Sequence, residues 1–210
     1  MRVLIVLGLA LLLTVPVPQC FAAASGREAP PVPDGHGGGA DAALAPTLPP
    51  VGFVEFCARN PARCSPAAAA GRIAMSEDRW RMVYRLNSLV NGQIAPESDQ
   101  ILYGEAEYWA YPTVAGDCED YVLLKQHYLE RLGFPRSGLL ITVVLDEANE
   151  GHAVLTLRTA EGDFVLDNRH NAIRRMSDAD YTFLKRQSER DPRQWVSLMP
   201  GGKLASAQQR

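Results

Sequence analysis

Residues 115–134, AGDCEDYVLLKQHYLERLGF, set one cysteine among three carboxylates at the apparent start of a helix. Gly116 and Asp117 are stop-and-cap residues, after which Tyr121, Leu124, Tyr128, Leu129 and Leu132 recur as one apolar stripe. The helix therefore begins at 117 or 118, and Gly133 and Pro135 end it. Downstream lie LLITVVL (139–145), HAVLTLR (152–158) and FVLD (164–167), β-branched or alternating runs parted by Asn- and Gly-bearing turns. Helix first and antiparallel strands after predict an α+β domain.

Upstream, Ser76 can cap a helix whose stripe Trp80, Val83, Tyr84, Leu86 and Val90 reads as core, with Asn91-Gly92 to end it. Residues 93–114 have no clear period and contain YWAYP (108–112), which predicts an ordered loop or short helix against the site.

A cysteine in the first turn of a helix meets the positive end of the backbone dipole and unpaired N–H groups, which favour thiolate and can hold an oxyanion. Such a nucleophile needs a base, and the base needs an orienting group. His152 opens one strand and Asp167 closes the next, so an antiparallel hairpin brings both to one edge. If Glu161-Gly162 are the turn, Asp167 falls opposite Thr156. A longer turn around Thr159, or a bulge, is then needed to join it to His152. His127 is expected to face solvent, His170 lies too far past the strand, and His36 sits in a loose segment.

The limits of the chain are consistent with one catalytic domain. Its 210 residues, 47% hydrophobic and 21% charged, hold one ordinary core. A net charge of −3 with no run of Lys or Arg argues against nucleic-acid or membrane-surface binding. Arg2, the run VLIVLGLALLLTV and small residues in CFAAASG read as an export signal, residues 1–24, cut after Ala24. The run is shorter than a membrane span, and Gln19 before Cys20 speaks against lipid attachment. Residues 25–50 read as a Pro/Gly/Ala-rich flexible leader, 51–199 as the folded domain and 200–210 as a flexible tail. Export leaves three cysteines. Cys57 and Cys64, seven apart with Pro61 between, are the expected pair, which makes Cys118 a free thiol.

GDCEDY (116–121) with its helix, the His152 hairpin ending in Asp167-Asn168, and FCARNPARC (56–64) resemble the bacterial transglutaminase-like cysteine proteinases, the periplasmic LapG-like group. The likeness covers most of 53–199, and the YWAYP stretch matches it only loosely. It implies a papain-like, transglutaminase-like fold, with Cys118 as nucleophile, His152 as base and then acid, and Asp167 orienting His152. It further implies a calcium-dependent periplasmic endopeptidase that cuts a large surface adhesin near paired alanines in its N-terminal region. The adhesin is thereby released and the biofilm dispersed, while an inner-membrane cyclic di-GMP receptor sequesters the protease.

Asp117, Glu119 and Asp120 each oppose a thiolate at Cys118 by like-charge repulsion, so a neutralising cation is wanted. On the residues alone, calcium held by Asp117, Glu119 and Asp120 balances against ordinary acidic capping of a helix start. The resemblance favours calcium. Two other readings use the same residues: a transglutaminase-type acyl transferase, and a non-catalytic calcium-binding module that docks an adhesin or receptor. No coiled-coil seam points beyond a monomer.

Overall fold

The structure, a computed structural model, describes residues 44–66, 68 and 70–200. The export signal with Cys20, most of the leader with His36, and nearly all of the tail lie outside the described residues.

The leader differs from expectation at its end. Strand β1 (Pro46–Thr47) is an edge strand of the main sheet, antiparallel to β9 (Trp195–Ser197) with Pro46 opposite Val196. Ser197 N–H donates to Ala45 O at 2.8 Å and Lys185 Nζ to Leu48 O at 3.0 Å, so backbone pairing fixes residues that composition alone marks as loose.

Helix α1 (Val51–Arg59) buries Phe53 and Phe56, and Cys57 and Cys64 are bonded as expected. Helix α2 (Glu77–Gln93) is capped by Ser76 Oγ, which accepts from Arg79 N–H at 3.2 Å. It runs past Asn91-Gly92, because Asn91 spends its amide on tertiary bonds to Asp167 O (2.8 Å) and Asn171 Oδ1 (2.9 Å) rather than on a cap. Tyr84, expected in the core, is half exposed.

Residues 94–117 carry short pieces only: β2 (Ala95–Pro96), the single turn α3 (Asp99–Leu102), and β3 (Ala115–Gly116), which pairs with β2 in parallel. YWAYP is an ordered loop, with Trp109 fully buried against Phe53.

Helix α4 (Cys118–Arg131) is the central helix, packed on α2 at one side and on the sheet at the other. That double contact buries every residue from Cys118 to Gln126, polar ones included, so its first two turns show no polar face. Its end follows expectation: Gly133 sits at φ +85°, Phe134 N–H reaches Leu129 O (3.1 Å) and Gly133 N–H reaches Glu130 O (3.0 Å). Tyr128 and Leu132, read from the sequence as core, lie on the helix's outer side and are 39% and 48% exposed.

The sheet continues through β4 (Leu139–Leu145), β5 (Gly151–Thr159), β6 (Gly162–Leu166), β7 (Arg174–Arg175) and β8 (Thr182–Gln187). All neighbours are antiparallel, in the order β1-β9-β8-β4-β5-β6-β7. Alternation gives it two apolar faces: Ile141, Val143, Ala153 and Leu155 join the helices in the main core, whereas Val144, Val154, Val165 and Phe183 form a smaller cluster behind. This is the mixed α+β architecture expected, with helices packed on an antiparallel sheet.

Candidate active site

Cys118 occupies the first position of α4, wholly buried. Gly116 is required two residues earlier, since a Cβ there would stand 2.6 Å from Asp120 Oδ2 and 2.8 Å from Asp120 Cβ. Ala153 N–H of β5 donates to Cys118 Sγ at 3.3 Å, which sets the sulfur beside the strand that carries His152.

The two partners named from the sequence meet. His152 Nε2 lies 2.9 Å from Asp167 Oδ1, with both residues buried. Neither a longer turn nor a bulge is responsible. Thr159 pairs with Gly162, so the two-residue turn is Ala160-Glu161, one position earlier than expected. That shift places Leu155 opposite Leu166 and carries Asp167 toward Val154, two residues from His152 on the same face.

Asp167 is held firmly. Its Oδ1 also accepts from Arg169 N–H (3.0 Å), and Tyr181 donates its hydroxyl to Oδ2. Burial pushes its carboxyl up, but the hydrogen bond and charge of His152, with the Tyr181 and Arg169 bonds, outweigh this and hold it below the usual carboxylate range. Asp167 is therefore an anion at neutral pH. With Nε2 taken, Nδ1 is the ring nitrogen left for proton exchange, and it is buried without a hydrogen-bond partner.

One expectation about the nucleophile fails. No described cysteine is free, and Cys118 is disulfide-bonded. Reduction must precede any attack by Cys118.

The acids around Cys118 form a buried cluster of a different composition from the one expected. Carboxylate oxygens of Asp99, Asp117 and Glu119 lie within 4.8 Å of one another, and all three residues are buried. Asp99 replaces Asp120 in this closest group. Asp120 has turned Oδ1 to accept from Ala110 N–H at 2.7 Å, although its Oδ2 has no partner. One oxygen each on Asp99, Asp117 and Glu119 is likewise without a partner. Asp117 makes no side-chain capping bond, so its carboxylate serves the cluster and not the helix end. Glu119 Oε2 stands 3.2 Å from Cys118 Sγ.

Burial, ahead of mutual repulsion, pushes these acids up: Asp117 to about 7, Asp120 to about 8, and Glu119 well above its ordinary value. Glu107, bonded to Trp109 Nε1 at 3.1 Å, is likewise driven by burial to about 8. Several oxygens aimed together, all hard donors and short of partners, fit a calcium ion better than a protein that must keep them protonated. The loop 103–112 closes over them: Tyr108 N–H bonds Asp99 Oδ2, and Trp109 O accepts from Arg59 at 2.8 Å.

Asp99 and Glu107 were missed because both are far from the GDCED motif. The available signal was charge: residues 93–114 hold four acids and no Lys or Arg. Lys125 was missed too. It is fully buried, its Nζ without a hydrogen-bond partner and 5.9 Å from the Tyr121 ring centre, and burial pulls its ammonium down to about 7 against the pull of Asp167. His127 is part-buried between the rings of Tyr111 and Tyr128, away from the site, not solvated as expected.

The family model described as bacterial transglutaminase-like cysteine proteinase matches residues 43–203. The chain belongs to this family of cysteine proteinases. Among solved structures, Legionella pneumophila LapG is similar at 26% identity and a TM-score of 0.48, over 56% of this chain and 66% of that one. Its EGTA-treated form gives the same values. Its calcium-bound form is similar at 23% identity and a TM-score of 0.48, over 60% of this chain and 72% of that one. The part matched in the first two thus spans about two thirds of the Legionella protein. No curated protein matches the chain significantly.

Proposed function

We propose that this cysteine proteinase is a calcium-dependent periplasmic endopeptidase that works through Cys118, His152 and Asp167. The observation that carries the reading is the buried His152–Asp167 pair on the strand whose Ala153 N–H touches the Cys118 sulfur. Once reduced, Cys118 gives its proton to His152 Nδ1 and attacks the scissile carbonyl carbon. The first-turn N–H groups of α4 face the developing oxyanion. Asp167, an anion, holds the imidazole in one tautomer and stabilises the imidazolium that forms. His152 then protonates the leaving amine, and a water molecule, deprotonated by the same imidazole, hydrolyses the thioester.

Calcium would be held by Asp99, Asp117 and Glu119, with Asp120 and Glu107 close by. The charge it supplies cancels the repulsion that four or five acids impose on a neighbouring thiolate. The substrate in this reading is a large surface adhesin, cut in its N-terminal region near paired alanines, with release of the adhesin and biofilm dispersal as the result. An inner-membrane cyclic di-GMP receptor is the proposed sequestering partner. Family membership and the oxygen-rich cluster support these assignments.

The test is to incubate the reduced protein with the N-terminal fragment of a co-encoded adhesin, with calcium and then with excess chelator, and to read intact masses. Two fragments split after paired alanines, lost with chelator and in Cys118→Ala, are expected. An uncut fragment would overturn the reading, and a fragment gaining amine adducts would replace hydrolysis by acyl transfer.

A further inference from the structure

Three donors meet the Asp167 carboxylate, and they divide unequally between its oxygens. Oδ1 is shared by His152 Nε2 at 2.9 Å and Arg169 N–H at 3.0 Å, whereas Oδ2 takes the Tyr181 hydroxyl. Tyr181 stands immediately before β8, and in the sheet β4 and β5 lie between β8 and β6. Its bond to Asp167 therefore joins strand ends that do not pair. The ring packs on the smaller apolar cluster, 6.4 Å from the ring of Phe183, and lies 5.7 Å from the ring of His152. Asp167 and Tyr181 both line a cleft of about 360 Å3, so their bond stands at the border between the buried pair and a space large enough for water.

We propose that Tyr181 is a positioning residue for catalysis, its hydroxyl locking the Asp167 carboxylate so that Oδ1 stays on His152. The inference rests on the Cys118–His152–Asp167 reading and adds a fourth side chain to it. A carboxylate turns readily about its Cβ–Cγ bond, because that torsion is broad for aspartate. The Arg169 N–H does not stop the turn, since either oxygen can accept from it. A donor fixed on Oδ2 does stop it, and Tyr181 supplies one from a ring set against Phe183 and His152. The phenol keeps its proton for this purpose: burial first, and the negative charge of Asp167 second, push its pKa up. Without the hydroxyl, Oδ2 faces the cleft, where water is a partner that holds no fixed direction. The imidazole then loses part of its orientation, and the imidazolium formed when Cys118 gives up its proton is less well stabilised. The ring's packing does not require the hydroxyl, for Phe183 fills a neighbouring place in the same cluster without one.

The test uses the full reduced chain with calcium and the N-terminal adhesin fragment, with kcat and KM read for Tyr181→Phe, Asp167→Asn and the double variant. Each is assayed well below its own melting temperature, so that a loss of fold is not read as a loss of turnover. Tyr181→Phe keeps the ring and should lower kcat about tenfold, the order expected for one hydrogen bond to a charged group, with KM changed by less than about twofold. Because the hydroxyl acts through Asp167, adding Tyr181→Phe to Asp167→Asn should lower kcat by less than about twofold more. A kcat for Tyr181→Phe within about twofold of the parent overturns the proposal. The same tenfold loss in both backgrounds also overturns it, since the hydroxyl would then act independently of Asp167. Cleavage that survives Cys118→Ala overturns the triad itself, a result distinct from any pattern among the Tyr181 variants.

Discussion

Two buried charge clusters divide the molecule, and only one is balanced by the protein's own side chains. Below the sheet, Asp163 is surrounded by arginines: Arg72 at 2.7 Å, Arg186 at 3.5 Å and Arg158 at 3.6 Å, with Glu189 paired to Arg158 as well. At the start of α4, Asp99, Asp117, Glu119, Asp120 and Glu107 converge, and Lys185 beside Glu107 is the basic group that acts on them. The first arrangement is a structural pin that needs nothing from solution. The second is incomplete, and its incompleteness lies next to the cysteine. A cluster that stabilises the fold satisfies its own charges, whereas one that binds a cation leaves oxygens waiting for it.

Removing a partner separates the two most strongly. Asp163→Asn leaves Arg158 and Arg186 with Glu189 as their one remaining anion among the described residues and should cost about 3 kcal/mol, read as a lower urea midpoint that calcium does not restore. Glu119→Gln or Asp99→Asn should do the opposite in chelator, raising the melting temperature by relieving repulsion, and should abolish the stabilisation by calcium. For the unaltered protein that stabilisation should be about 2.7 kcal/mol at a hundredfold excess over the dissociation constant. A calcium response that survives both substitutions would place the ion elsewhere.

The pH dependence sharpens the contrast. Asp117, Glu107 and Asp120 have native values of about 7, about 8 and about 8, above their unfolded values near 4. The native state therefore binds more protons than the unfolded chain between those limits. The stabilisation this gives is complete below pH ~4 and is lost as pH rises through 7 to 8. In chelator the melting temperature should fall from pH 5 to pH 8, and calcium should flatten that fall. A flat profile in chelator would show that the acids are satisfied without a cation.

Lys125 gives a smaller effect of opposite sign. Its native value near 7 lies below the ordinary lysine value of 10.5, so the unfolded chain binds the extra proton and stability rises with pH over that interval. Lys125→Met should melt several degrees higher than the parent at pH 6, with the gap closing toward pH 10. The smallest effect belongs to the exposed pairs of Arg81 with Glu77 and Asp78, where Glu77→Ala should change stability by less than about 0.5 kcal/mol.

What the sequence made legible was local. GDCED with its stripe located α4, Ser76 located α2, and the three β-branched runs located β4 to β6, because each is written within a few residues. His152 and Asp167 were legible because hairpin geometry ties strand starts to strand ends, although the turn position was misjudged by one residue. Glu161-Gly162 looked like the turn, but Gly162, at φ +131°, is the first strand residue after it. Asp99 was hidden because its nearness to Asp117 depends on the path of a loop without periodicity. Residues 45–50 were hidden for a related reason: a short edge strand stands on backbone bonds to β9, to which composition is blind.

In the proposed mechanism a cation at the acidic cluster frees Cys118 to act as a thiolate. The most direct measurement is the rate of Cys118 carbamidomethylation by iodoacetamide in the reduced protein at pH 7, with calcium and with excess chelator, followed by intact mass. Labelling about tenfold or more faster with calcium is expected, since removal of like charge favours the thiolate. Equal rates in the two conditions would contradict it.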